Sequence, residues 1–143
     1  MNTAKRSKNF GKSRLRCTFV RPGFFIMALA QDIAIYKQMK DLLRFIVRER
    51  SKFPKSYRSL GQDMFVQATR CLSLIHLANM QQATRARYLM ELTAEFGTLG
   101  TVLEVCTELK VWSTTTAAQA ALLVDNIGRQ ITGWRQSSTR PER

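Results

Sequence analysis

The chain has 143 residues and is 45% hydrophobic, enough for one compact core, while 7 glycines and 3 prolines are too few for a turn-rich all-β fold. Its 23 Lys and Arg against 10 Asp and Glu give a net charge of +13, which points to a polyanionic partner: nucleic acid, an acidic protein or an anionic membrane. Cys17, Cys71 and Cys106 are an odd set without metal-ligand spacing, which disfavours a disulfide scaffold and suits a reducing cytoplasm; no apolar run approaches the roughly 18 residues that span a bilayer.

Residues 1–27 hold seven cations (Lys5, Arg6, Lys8, Lys12, Arg14, Arg16 and Arg21) and no acid, about half of the charge excess. Residues 1–30 are therefore expected to form a basic, disordered N-terminal extension. FFIMALA at 24–30 resembles a signal peptide with Ala28-Leu29-Ala30 as cleavage site, but its apolar core is at the short limit. The plainer reading makes Met27 the natural start and residues 1–26 an upstream extension of the reading frame.

A four-helix bundle is expected over 31–137. In 31–50, Ile35, Met39, Leu42 and Ile46 recur at spacings of 4, 3 and 4, one helical stripe that Leu43 and Val47 widen. At about 100° per residue, Lys37, Arg44 and Arg48 fall on another face, with Lys40 at its edge and Asp41 interrupting. Pro54 cannot continue this helix and pushes Phe53 out of helical geometry, so FPKSYR joins the first two helices. Ser59 is the expected N-cap of the second.

The second helix, about 59–81, carries Leu60, Met64, Ala68, Cys71, Ile75 and Ala78 on one stripe, broadened by Phe65 and Leu72. The third, about 84–110, has a heptad-type seam: Leu89, Leu92, Phe96, Leu99, Leu103 and Cys106 step by 3, 4, 3, 4, 3. Gly97 and Gly100 cost it helix propensity and suggest close approach of a neighbouring helix. WSTTTAA at 112–118 supplies Ser and Thr caps. The fourth helix, about 115–136, repeats the rhythm with Ala117, Ala120, Val124, Ile127, Ile131 and Trp134, and Gly128 and Gly133 leave room for a neighbour, inside the bundle or from another subunit. Residues 138–143 are expected to be a polar tail. Four amphipathic helices with short connections make an all-α, up-down-up-down bundle.

Nothing in this pattern assembles a catalytic site, and no metal or cofactor is expected. Cys71 and the single histidine, His76, diverge by about 140° on one helix. The Glu-x-x-His pairs of di-iron bundles are missing, because position 73 is Ser. Glu91/Glu95 and Glu104/Glu108 share helix faces in the manner of a solvated surface. His76 borders the apolar stripe and reads as a packing or edge residue.

The cations are more informative. Lys37, Lys40, Arg44, Arg48, Arg50, Lys52, Lys55 and Arg58 run from the outer face of the first helix into the FPKSYR turn, opposed only by Asp41 and Glu49. Arg85, Arg87, Arg129 and Arg135 extend the field near other helix ends. One reading is a solvated face that maintains solubility. The other is a phosphate-tracking surface acting through charge, with affinity falling steeply with salt. Tyr57 either stacks on an unpaired base or packs over the helix end.

From Tyr36 to Trp134 the sequence resembles the accessory variability determinant proteins of diversity-generating retroelements. These belong to a wider four-helix-bundle family that includes proteins encoded in intervening sequences of bacterial ribosomal RNA. The resemblance rests on order: a first helix with Tyr36 and several arginines, the Phe53-Pro54-Lys55 turn, and a second helix opening at Leu60-Gly61 with Met64-Phe65. A leucine-rich third helix, a Thr-rich cap and Ile127-Gly128-Arg129 … Ile131-x-Gly133-Trp134 follow. It implies a bacterial or phage-encoded, cytoplasmic, non-enzymatic bundle forming a ring-like homopentamer. Such a protein binds the reverse transcriptase with template RNA, and DNA, and supports mutagenic retrohoming. The third helix departs from the family's basic pattern with Glu91, Glu95, Glu104 and Glu108, which moves the expected basic surface to the first helix. Leu77, Val102 and Val105 are the apolar residues expected at a subunit contact.

Two other roles compete with that reading. One is a bundle of the same family acting as a structural or protein-interaction module without nucleic acid. The other is a peripheral membrane binder, disfavoured because the apolar face of the first helix is committed to the core.

Overall fold

A computed structural model of the chain describes the backbone of residues 22–140 and the side chains of residues 34–140. Four α-helices follow one another: α1 (Pro22–Arg50), α2 (Arg58–Met80), α3 (Arg85–Glu108) and α4 (Thr114–Thr139). Each helix packs on its two sequence neighbours, with α4 closing back on α1, and the diagonal pairs α1/α3 and α2/α4 do not meet among the described residues. Side-chain contacts fix the antiparallel sense. Met64, near the start of α2, touches Cys106, near the end of α3, at 3.6 Å between sulfurs. Arg85, opening α3, donates to the Ala78 carbonyl late in α2.

The third helix follows its heptad: Leu89, Leu92, Phe96, Leu99, Leu103 and Cys106 are all buried. On α2, Met64, Ala68, Cys71, Ile75 and Ala78 are buried as expected, Leu60 is half-buried, and Gly61 and Leu74 join the core. On α1, Ile35, Met39, Leu42 and Ile46 are buried, but the stripe widens through Phe45 rather than Val47, which is exposed. The reason lies across the bundle: Phe45 packs against Trp112, ring centroids 5.9 Å apart, which turns α1 toward the start of α4.

Helix boundaries depart from expectation at two places. α1 begins at Pro22, inside the segment assigned to an extension ending at residue 30. Proline suits a first helical position, where its missing N–H has no partner to lose. The rest of that expected extension, residues 1–21, and tail residues 141–143 lie outside the described residues. The polar residues 138 and 139 are still helical. Ser59 is not an N-cap: α2 starts one residue earlier, from a 3₁₀ turn at Lys55–Tyr57 in which Arg58 N–H donates to the Lys55 carbonyl. That turn supplies the first turn's geometry, so no side-chain cap is needed. The cap before α4 is present, with Ser113 Oγ accepting from Thr116 N–H at 3.2 Å.

The α3–α4 corner closes on Lys110, whose φ is 54°. Lys110 N–H donates to the Thr107 carbonyl and Val111 N–H to the Cys106 carbonyl. This is the Schellman arrangement with a lysine where glycine is usual.

Within one bundle, close approach of helices occurs at a different glycine from those expected. A Cβ on Gly97 or Gly133 would meet nothing within 4 Å, and on Gly100 or Gly128 it would make ordinary contact with Val124 or Phe96. At Gly61 it would stand 2.9 Å from the Arg50 Cβ and 3.3 Å from the Phe53 ring. Gly61 lets the end of α1 and the Phe-Pro turn lie flat on the first turn of α2. Phe53 is buried there, edge-on to Trp112 at 6.0 Å. Trp112 is held in turn by its indole N–H donating to Thr107 Oγ1. The FPKSYR segment therefore inserts an aromatic plug into one end of the bundle while Lys55 and Arg58 stay at the surface.

Candidate nucleic-acid interface

The fold sorts charge by helix. From residue 34, α1 carries five cations (Lys37, Lys40, Arg44, Arg48 and Arg50) against Asp41 and Glu49. Diagonally across, α3 carries four carboxylates (Glu91, Glu95, Glu104 and Glu108) against Arg85 and Arg87. Lys52, Lys55 and Arg58 continue the positive side around the turn into α2.

The expected site residues fall into three groups. Lys37, Lys55, Arg58 and Arg135 are exposed and without a carboxylate partner among the described residues, and half-buried Lys40 lies 5.6 Å over the Tyr36 ring. A second group is exposed but paired: Arg44 with Asp41 at 3.0 Å, Arg87 with Glu91 at 3.2 Å, and Arg129 with Asp125 at 2.8 Å. Such exposed pairs contribute little to stability.

The third group is structural. Arg48 and Lys52 both donate to the buried Glu49 carboxylate, at 2.9 and 3.0 Å. Burial by itself would raise the Glu49 pKa; the hydrogen bonds and charges of Arg48 and Lys52 outweigh it and hold the carboxyl below its usual 4.5. Arg85 donates to the Ala78 carbonyl and lies 5.9 Å over the Trp134 ring, tying α2, α3 and α4 together. Arg50 lies 4.4 Å over Phe65 and donates to Gln62. Arg85 and Arg87 lie on α3, and Arg129 and Arg135 on α4, the helix that packs beside α1.

Tyr57 is half-buried and packed against the core. The exposed aromatic is Tyr36, which the sequence marks only as one end of the family resemblance. Its position one turn before Lys40, on the outer side of α1, was the available signal.

Of the two carboxylate pairs, Glu91 and Glu95 are engaged in ion pairs, with Arg87 at 3.2 Å and with Arg70 at 3.0 Å, whereas Glu104 and Glu108 have no basic partner among the described residues. His76 is exposed on α2 rather than packed. Cys71 and Cys106 are buried, and burial pushes their thiols up to about 12 and about 11. Among the described residues no three His, Cys, Asp or Glu side chains are grouped to hold a metal. A groove of about 260 Å³ between α3 and α4 is lined by Gly100, Leu103, Thr107, Ala117 and Val124 with Glu104 and Asp125. Among the described residues no helix is long and apolar enough to cross a membrane. Of the apolar residues expected at a contact, Leu77, Val102 and Val105 are half-buried, whereas Val66, Met80, Met90, Leu109 and Leu122 are exposed.

These features define an antiparallel four-helix bundle with a cationic edge. The profile of one protein family, described as bAvd-like, matches residues 33–138. The chain belongs to that family, the accessory variability determinant-like proteins, in keeping with the resemblance seen in its sequence. Searches of curated proteins and of solved structures give no match.

Proposed function

We propose that this protein is a non-enzymatic accessory factor of a diversity-generating retroelement. In this reading it binds the reverse transcriptase and its template RNA, or DNA, through the α1 edge, and supports mutagenic retrohoming as a cytoplasmic homopentamer. The family match over 33–138 carries the proposal. The segregation of cations onto α1 and the following turn supports it, because a phosphate chain needs a continuous positive track.

The ion pairs favour a second reading, a protein-interaction module without nucleic acid. They occupy Arg44, Arg48, Lys52, Arg87 and Arg129. Titration of labelled single-stranded RNA and DNA at low and moderate salt separates the two. The accessory-factor reading expects affinity that falls steeply with salt. It also expects joint charge reversal of Lys37, Lys40, Lys55 and Arg58 to weaken binding with the fold intact. No binding at low salt, or binding indifferent to that reversal, defeats it. Co-purification with a reverse transcriptase encoded beside the gene tests the polymerase contact, and light scattering tests the pentamer.

A further inference from the structure

We infer that Tyr36 is a stacking platform for an unpaired base, so that the α1 edge takes single-stranded nucleic acid in preference to duplex. The inference rests on the nucleic-acid reading above and adds the form of the ligand. Of the large apolar and aromatic side chains exposed among the described residues, Tyr36 is the only aromatic one, at 39%. Phe45, Phe53, Phe96 and Trp134 are buried, and Tyr57, Phe65, Tyr88 and Trp112 are packed against the core. The exposed aromatic thus stands within one helical turn of Lys37 and Lys40. Of the carboxylates on this stretch of α1, Asp41 is taken by Arg44.

An amphipathic ring flanked by ammonium groups matches the chemistry of single-strand binding. The cations track phosphates, and the ring receives a base face, which every base offers regardless of sequence. A duplex keeps its bases stacked on one another and presents only phosphates to the same surface. The Lys40 ammonium already lies 5.6 Å over the ring; when a base takes that face, the ammonium moves to the adjoining phosphate. Tyr36 belongs neither to the buried core nor to the side chains packed against it, so its replacement reports on binding.

The test compares the full chain with Tyr36→Leu and Tyr36→Trp in anisotropy titrations. The probes are three labelled strands of equal length: a mixed-sequence single strand, the same strand with abasic sites throughout, and a duplex. RNA and DNA versions identify the preferred sugar. Wild type is expected to prefer the base-bearing single strand. Tyr36→Leu is expected to lose roughly five-fold or more on that strand, the range of one base stack, and nothing on the abasic strand or duplex; Tyr36→Trp restores the loss. Equal losses on all probes, or no loss on any, overturns the stacking role and leaves the phosphate-tracking reading in place. Failure of the wild-type chain to bind any probe at low salt overturns both.

Discussion

Gly61 and Arg50 lie against each other with no room between them: a β-carbon on the glycine would stand 2.9 Å from that of the arginine. No side chain fits there without moving α1 or the Phe53 plug. Gly61→Ala is therefore expected to lower stability by about 1–3 kcal/mol, although alanine is the better helix former. Chemical denaturation measures it, and an unchanged or raised midpoint contradicts the packing.

Gly133 gives the opposite expectation. A β-carbon added there would have nothing within 4 Å, so Gly133→Ala should raise the stability of the bundle by up to about 1 kcal/mol through helix propensity. If copies of the chain approach through this face, the same variant also weakens assembly. Thermal melting and light scattering on one sample read both effects.

Lys110 occupies the left-handed region that costs a side chain roughly 1–2 kcal/mol. Lys110→Gly removes that cost and loosens the unfolded chain, so a net gain of about 1 kcal/mol or less is expected. Lys110→Ala should show no such gain. Denaturant midpoints of the two variants decide it.

Glu49 should make stability depend on acid. Its carboxyl is held below the ordinary 4.5 by Arg48 and Lys52 against the effect of burial. A depressed carboxylate stabilises the fold fully above the unfolded-state value and loses that contribution as pH falls through the folded one. Glu49→Gln is thus expected to be less stable than wild type at pH 7, with the gap closing below about pH 4. Denaturant midpoints across pH measure it, and a gap independent of pH rejects the ion-pair account.

Cys71 and Cys106 should resist alkylation at pH 8, since burial raises their pKa values to about 12 and about 11. Peptide mapping after iodoacetamide treatment should find both unmodified in the native chain and modified in denaturant.

Much of the architecture is legible in the sequence because it is periodic. The α3 seam, from Leu89 to Cys106, needs only a spacing rule, and the residues it nominates are all buried. Features set by a partner from elsewhere in the chain are not legible this way. Phe45 displaces Val47 because Trp112 waits beside it, and Gly61 is crowded by a turn folded back from α1. The candidate site divides along the same line. The cationic strip is visible as composition, but Arg48, Lys52 and Arg85 are bracing groups only once Glu49, Ala78 and Trp134 are in place. Ser59 misleads because a 3₁₀ turn made of Lys55–Tyr57 does the work of a cap.

The placement of cations on α1 and carboxylates on the diagonal α3 gives the molecule an electrical direction. On the nucleic-acid reading proposed above, a copy bound along α1 would carry the α3 carboxylates on the side away from the phosphate chain, so the bundle would offer a strand one preferred side.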